Sequence, residues 1–430
     1  MNYREIANNF LLKYDQHPDN IDIDSLTKNF IEEMKLGLAG KPSSLMMIPA
    51  YVSTKGEVPL NETVIAIDAG GTNLRIAYVT FTKDGISIEN LKKQKMLGVE
   101  KPLHINEFFS QLTDIIMPYL DKSQKIGFCF SFAAEIQPNK DGKIIEFSKE
   151  INVDECEGKL IFEELKKEIK KRGFEKEISG VILNDTVSTL LGGPAIKPSE
   201  KVDGQIGLIL GTGTNTAYIE ELKNITKLDL HSEGKMIINM ESAGFNKLPQ
   251  GKFDKIFDEK SNNPTAHMFE KMISGIYLGN VICETVKYAA KENLFSKEST
   301  IKNLPYFSMV EVDQFLREPF GDNLLSNACH NASDVELLYN FADLAIERAA
   351  KLVTINLAAD IIQMDGGKNI STPCRIVIEG STYHKCYSYK EKIDRYMKEY
   401  INDTLHRYYM ITSGDDVNLA GSAIAALLNC

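Results

Sequence analysis

Two β-branched runs enclose a short glycine turn, and this is the strongest pattern in the chain. Residues 64–67 lead in and 74–79 lead out, with Asp68-Ala69-Gly70-Gly71-Thr72-Asn73 between them, which predicts a hairpin. Upstream, Phe10, Leu11 and Tyr14 form one apolar stripe; Leu26, Phe30, Ile31, Met34, Leu36 and Leu38 form another. Residues 2–38 therefore read as helix, broken at His17-Pro18-Asp19-Asn20, and 39–61 as a connection. Asp84-Gly85 marks a turn into a strand at 86–88, while 108–120 and 158–172 carry helical spacing. The apolar run 125–132 reads as a buried strand ending on a serine, Ser131, and 181–185 is strand-like with a helix starting at 186. Alternation of strand and helix with parallel crossovers implies an α/β fold. From 265 onward the spacing is mostly helical, notably 269–290 and 335–362. A strand into a glycine turn at 375–381, a helix at 389–404 and a closing helix at 419–428 complete the pattern.

The run 206–219 repeats the first hairpin. Setting Gly213-Thr214-Asn215 over Gly71-Thr72-Asn73 aligns Ile209 with Ile67 and puts Leu210 where Asp68 stands. Glycine turns allow φ > 0 and bring backbone N–H groups close to an anion. Two such turns would grip a polyphosphate from two sides, and Asp68 alone could face a metal ion on its oxygens. A tight hairpin whose aspartate caps its own turn is the other reading of residues 64–79.

The 430 residues allow two or three domains, and 43% hydrophobic with 25% charged residues is ordinary for a globular chain. A net charge of −11 argues against nucleic acid as the main partner. Seven scattered cysteines without C-x-x-C signal neither a disulfide framework nor zinc, which fits a reducing cytosol. The first residues lack an apolar core of a secretory signal, and no run approaches a membrane span, so a cytoplasmic protein with no membrane partner is expected.

No G-x-x-x-x-G-K-[ST] loop and no H-E-x-x-H pair occurs. Carboxylates and small polar residues at strand ends remain. Asp185, placed like an N-cap, is either a plain helix cap or a base that takes a proton from an attacking hydroxyl. Glu241 and Glu270 are strand-end or helix charges, or acceptors for paired hydroxyls of a polyol.

Taken together these segments resemble the hexokinase family. Asp68-Ala69-Gly70-Gly71-Thr72-Asn73-Leu74-Arg75 is similar to its first phosphate motif, and Leu183-Asn184-Asp185-Thr186-Val187-Ser188-Thr189 to its catalytic segment. Gly211-Thr212-Gly213-Thr214-Asn215-Thr216-Ala217-Tyr218-Ile219-Glu220 resembles the second phosphate motif. Glu270-Lys271-Met272-Ile273-Ser274-Gly275-Ile276-Tyr277-Leu278-Gly279 is close to a family string, and Glu379-Gly380-Ser381-Thr382-Tyr383 resembles the adenosine motif. Met47-Ile48-Pro49-Ala50-Tyr51-Val52 and the helices before it also have counterparts, so the likeness runs in collinear order from about residue 5 onward.

The resemblance implies a two-lobed hexokinase/actin-like (ribonuclease H-like) α/β fold with a deep interlobe cleft. The expected lobes are 59–185 plus 418–430, and 1–58 plus 186–417. It implies ATP-dependent phosphorylation of the 6-hydroxyl of glucose or a related hexose, the first step of glycolysis, with Mg²⁺ as cofactor. Asp185 becomes the base, and Ser131, Ser148, Lys149, Asn184, Asn215, Glu241, His267 and Glu270 face the sugar. Gly70, Gly71, Thr72, Asn73, Arg75, Thr212, Gly380 and Ser381 serve ATP and its phosphates, and Asp68 serves Mg²⁺ through water. Hexose and ATP are the expected partners of a monomer or homodimer.

Several sugar-facing segments depart from the family pattern. Its Ser-Phe-Pro reads Ser131-Phe132-Ala133, and its Thr-Lys-Gly-Phe reads Ser148-Lys149-Glu150-Ile151. Its Glu-Trp-Gly-Ala-Phe reads Glu241-Ser242-Ala243-Gly244-Phe245, and its glutamine before the second sugar glutamate is His267. The stretch from Asp415 to Ala423 also matches the nucleotide segment poorly. A kinase of mannose, fructose or an amino sugar, or a hexokinase-like sugar sensor, are the alternative readings.

Overall fold

The computed structural model describes residues 2–53, 56–71, 73–147, 151–196, 200–229 and 233–430. Both predicted hairpins form, and each seeds a sheet. In the first sheet Thr63–Ala69 pairs antiparallel with Asn73–Thr82, which pairs antiparallel with Gly85–Lys95. On its other side Thr63–Ala69 runs parallel to Lys125–Phe130, itself parallel to Ser179–Leu183. In the second sheet Gly204–Leu210 pairs antiparallel with Thr214–Glu221, which pairs with Lys235–Asn239. On the other side come Cys374–Glu379 and then Tyr409–Thr412, both parallel. The two sheets thus have the same strand order around their hairpins, and the sequence repeat is a repeat of topology. Ile48–Pro49, expected as part of a connection, adds an edge strand to the second sheet.

Each sheet has its own core, and a third lies between them. That third core is built on two helices, Asp185–Ile196 and Val417–Asn429, which cross between the sheets. Their backbones meet because glycine stands at the contact. A Cβ on Gly421 would lie 1.8 Å from the Ser188 carbonyl oxygen, and one on Gly192 would lie 2.3 Å from that of Val417. Ser188 Oγ donates to Asn418 O at 2.7 Å and lies 2.9 Å from Ser422 Oγ, so the polar groups at the crossing are satisfied by each other.

The predicted helices recur with shifted ends. Residues 2–38 form Tyr3–Lys13 and Ile23–Leu38, separated by a 3₁₀ turn at Pro18–Asn20. The helix expected over 108–120 is Ile105–Ile116 followed by a 3₁₀ turn, and 335–362 lies within Ala332–Gln363. The helix expected from 158 starts at Ile161, where Asp141 reaches in from a distant turn. Its Oδ1 accepts from Phe162 N at 2.7 Å and its Oδ2 from Glu163 N at 3.0 Å. The run 269–290 is two helices, Met268–Ile273 and Leu278–Lys291. They break where Gly275 N donates to Gly211 O at 2.9 Å, too close for a side chain at that position. The helix over 389–404 is α-helical through Met397 and then widens into a π-helix, Lys398–Thr404. Among the described residues no helix is long and apolar enough to cross a membrane.

The glycine crossing yields a direct prediction. Gly421→Ala will lower stability by about 1–3 kcal/mol through overpacking, read as a reduced midpoint in urea denaturation. Gly366→Ala, whose Cβ would meet nothing closer than 3.5 Å, will leave the midpoint unchanged.

Candidate active site

The parallel strands of the first sheet end side by side, and their register aligns the candidate residues. Asp68 is opposite Cys129, and Cys129 is opposite Leu183, two residues before Asp185. Cys129 is fully buried with its Sγ 4.0 Å from Ser131 Oγ. Burial pushes the Cys129 thiol well up, and the charges of Asp68 and Asp185 push it further, which puts both carboxylates within electrostatic reach of one sulfur. Ser131 N donates to Ala69 O at 3.1 Å, tying the serine to the first turn.

Arg75 faces Asp68 across the hairpin. Its Nε and one terminal nitrogen donate to Asp68 Oδ2 at 3.0 and 2.5 Å, and the other terminal nitrogen donates to Asp416 Oδ1 at 2.8 Å. Arg75 therefore orients the Asp68 carboxylate and links the first turn to the residue that precedes the closing helix. Burial works against the guanidinium charge, but the two carboxylates outweigh it and raise its pKa. Gly70 N closes the turn on Asn73 O at 3.0 Å, and Gly71 follows it. Thr72, Ser148 and Lys149 lie outside the described residues.

The second turn is bonded into its surroundings. Gly211 N donates to Gly213 O at 2.9 Å, Thr382 Oγ1 to Gly211 O at 2.7 Å, and Ile276 N to Thr212 O at 3.3 Å. Gly380 has φ +118°, and a Cβ there would lie 2.3 Å from Leu210 O. Only glycine lets the turn that carries Ser381 close onto the turn that carries Thr212.

Asn215 is the hub of the remaining candidates. Its Oδ1 accepts from the backbone N–H groups of Thr216 at 2.7 Å and Ser242 at 3.2 Å. Its Nδ2 donates to Asn239 Oδ1 at 2.8 Å and, at 3.4 Å each, to Asn184 Oδ1 and Glu241 Oε1. Asn239 Nδ2 donates in turn to Glu241 Oε1 at 2.8 Å. Glu241 sits in the left-handed region at φ +54°, a conformation that costs about 1–3 kcal/mol and persists only where neighbours enforce it. Glu270 Oε2 accepts from Thr214 N at 2.9 Å, which attaches the second glutamate beside Asn215. His267 is exposed at φ +52°, immediately before the helix bearing Glu270. The loop leading to it is held by buried Lys271, whose Nζ donates to Asp258 Oδ1 at 2.6 Å, Ser261 Oγ at 2.9 Å and Asn263 O at 2.7 Å.

Asp185 was expected in the cap position, but the helix begins with it and Asn184 precedes it. Thr186 N divides its hydrogen bond between Asn184 Oδ1 at 3.0 Å and Asp185 Oδ1 at 2.9 Å, and Thr186 Oγ1 donates to Asn184 Oδ1 at 2.6 Å. Capping is therefore shared with Asn184.

Sequence reasoning gave no role to Asn239 or Cys129, and included Glu379 only as the first residue of the segment resembling the adenosine motif. Asn239 ends the apolar strand Lys235–Asn239 and is buried, a polar break in an apolar run that was the available signal. Glu379 ends a strand of the second sheet yet lies within electrostatic reach of Arg75, Asp415 and Asp68. Burial raises its pKa from 4.5 to about 7 against the opposing Gly414 N–H and Arg75 charge.

Sequence profiles of the family described as Hexokinase match residues 10–194 and 205–428, the second spanning more than half of the chain. The chain belongs to the hexokinase family. Hexokinase-1 of Saccharomyces cerevisiae is 27% identical over 450 residues, covering 96% of this chain and 90% of its own. Hexokinase-2 of the same yeast is 29% identical over 443 residues, covering 94% and 88%. The hexokinase from Schistosoma mansoni complexed with glucose superposes with a TM-score of 0.79 at 22% identity, covering 99% of this chain and 98% of that one. The fold is thus the two-lobed actin-like fold of hexokinases, and this family member is an ATP-dependent sugar kinase, a phosphotransferase.

The Glu379 environment makes stability depend on pH. The unfolded chain loses this proton near pH 4.5 and the folded chain near pH 7, so stability falls as pH rises between the two. Glu379→Gln will therefore raise the denaturation midpoint more at pH 8 than at pH 5.

Proposed function

We propose that this hexokinase-family chain transfers the γ-phosphoryl group of ATP to the 6-hydroxyl of glucose or a related hexose, the first step of glycolysis. The observation that carries this reading is the hydrogen-bonded row Asn184, Asn215, Asn239 and Glu241 beside Asp185. A hexose offers several hydroxyls, each both donor and acceptor. The row answers with amide N–H donors, and Glu241 and Glu270 supply carboxylate oxygens that accept O–H groups in pairs. Ser131 and His267 border the sugar in this reading, and Ser148 and Lys149 complete its contacts.

Asp185 accepts the proton of the 6-hydroxyl as the new O–P bond forms, and its place next to Asn184 puts it beside the sugar row. The turns at Gly70, Gly71, Thr72 and Asn73 and at Thr212 hold the phosphates, with Gly380 and Ser381 on the adenosine side. Phosphoryl transfer depends more on positioning and charge neutralisation than on covalent chemistry. Mg²⁺ fits this donor set. Hard carboxylate oxygens such as those of Asp68 suit an ion carried mainly on ATP phosphates. Asp68, oriented by Arg75, would hold it through water, and the ion would neutralise phosphate charge.

Water is a smaller rival nucleophile. Closure of one lobe, 59–185 with 418–430, on the other, 1–58 with 186–417, around the sugar would complete the site only when hexose is present. The seven free cysteines support a cytoplasmic location.

The test is ADP release with ATP and Mg²⁺ against glucose, mannose, fructose and N-acetylglucosamine. Sugar-dependent turnover is expected, and Asp185→Ala will reduce kcat by about 10²–10⁴-fold, the usual contribution of a positioned base. Hexose binding by calorimetry without turnover on any sugar would overturn the kinase reading in favour of a sensor.

A further inference from the structure

The strand Thr214–Glu221 carries Asn215 on one face and a buried polar row on the other. Thr216, Tyr218 and Glu220 occupy alternate positions and are all 0% exposed. Opposite them the long helix Ala332–Gln363 places Asn356, Asp360 and Gln363 at spacings of one helical turn. Asn356 Nδ2 donates to Thr216 Oγ1 at 2.6 Å. Tyr218 Oη donates to Glu220 Oε2 at 2.7 Å, and Gln363 Nε2 donates to the same oxygen at 2.9 Å. A core that could have been apolar is instead laddered with hydrogen bonds, and such groups are costly to bury unless they are hydrogen-bonded.

The rung at Asn356 connects to the sugar row. Thr216 Oγ1 also lies 3.1 Å from Ser242 Oγ. Thr216 and Ser242 are the two residues whose backbone N–H groups hold Asn215 Oδ1. With its carbonyl oxygen fixed from that side, the Asn215 amide must turn its Nδ2 toward Asn184, Asn239 and Glu241. Ser242 also follows Glu241 directly, so fixing it helps to hold the left-handed backbone there. Asp360, one turn beyond Asn356, has no hydrogen-bond partner on either carboxyl oxygen, and burial raises its pKa well above the ordinary range.

We propose that Asn356 is a positioning residue for sugar binding, acting through Thr216 and Ser242 to set the amide of Asn215 and the backbone at Glu241. It touches neither sugar nor nucleotide. The proposal rests on the reading of Asn215 and Glu241 as sugar ligands.

Steady-state kinetics on the full chain, with ATP and glucose varied separately, test it. Asn356→Leu and Thr216→Val should each raise KM for glucose about five- to tenfold, the scale of one lost hydrogen bond, with kcat and KM for ATP unchanged. Thr216→Ser, which keeps the hydroxyl, should retain the native KM, and the double variant should be no worse than either single one. Unchanged glucose KM in both single variants, where Asn215→Ala raises it, would overturn the proposal. So would parallel rises in both KM values, or additive effects in the double variant, which mark a general loss of structure. If Asn356→Leu does not fold, Thr216→Val against Thr216→Ser decides alone. If Asn215→Ala leaves glucose KM unchanged, the sugar-ligand reading itself fails and the proposal falls with it.

Discussion

The arrangement of the site depends on two helices meeting at backbone distance. Asp185–Ile196 and Val417–Asn429 cross between the sheets with Gly192 and Gly421 at the contact, so no side chain separates them. The first helix begins with the proposed base. The second begins just after Asp416, which binds Arg75 and through it orients Asp68. The carboxylates of Asp185 and Asp416 thus stand at the starts of two elements whose mutual position is set by hard contact. A helix pair held by long side chains would have more freedom to shift, because flexible side chains can adopt other rotamers where backbone cannot.

The two sheets share a strand order but divide the chemistry. The first hairpin has a carboxylate in its turn and an arginine facing it; the second has Leu210 there and gives its polar groups to Asn215 and its neighbours. The second turn is bonded to Gly275 and Thr382 and closely approached by Gly380, whereas the first is tied to Ser131 and, through Arg75, to Asp416. The same strand order thus carries different side chains: a charged pair at the first hairpin and a network of amides at the second.

Much of this was legible in the sequence because it is local. Glycine turns between β-branched runs, and the alignment of Gly213 with Gly71, announce two hairpins without any knowledge of their partners. Asp68 as a candidate followed from its position at a strand end, whereas Asn215 as a candidate came from the family resemblance. What escaped detection depends on contacts distant in sequence. Cys129 joins Asp68 to Asp185 only through strand register, and Asn239 matters only because its strand lies beside Thr214–Glu221. Helical spacing over 269–290 hid a break, since nothing in the periodicity shows that Gly275 must meet the carbonyl of Gly211. Asp141 likewise caps a helix from a distant turn, so local capping signals put that helix start too early.

The pairing of Arg75 with Asp416 spans 341 positions of chain. During translation the first hairpin emerges from the ribosome long before the residue that completes it. Until Asp416 and the helix behind it have been made and docked, Arg75 and Asp68 lack the third member of their charge cluster, and the contacts around the first turn are unfinished. A chain that has folded its first sheet therefore still lacks the second carboxylate partner of Arg75, which only the far end of the molecule supplies.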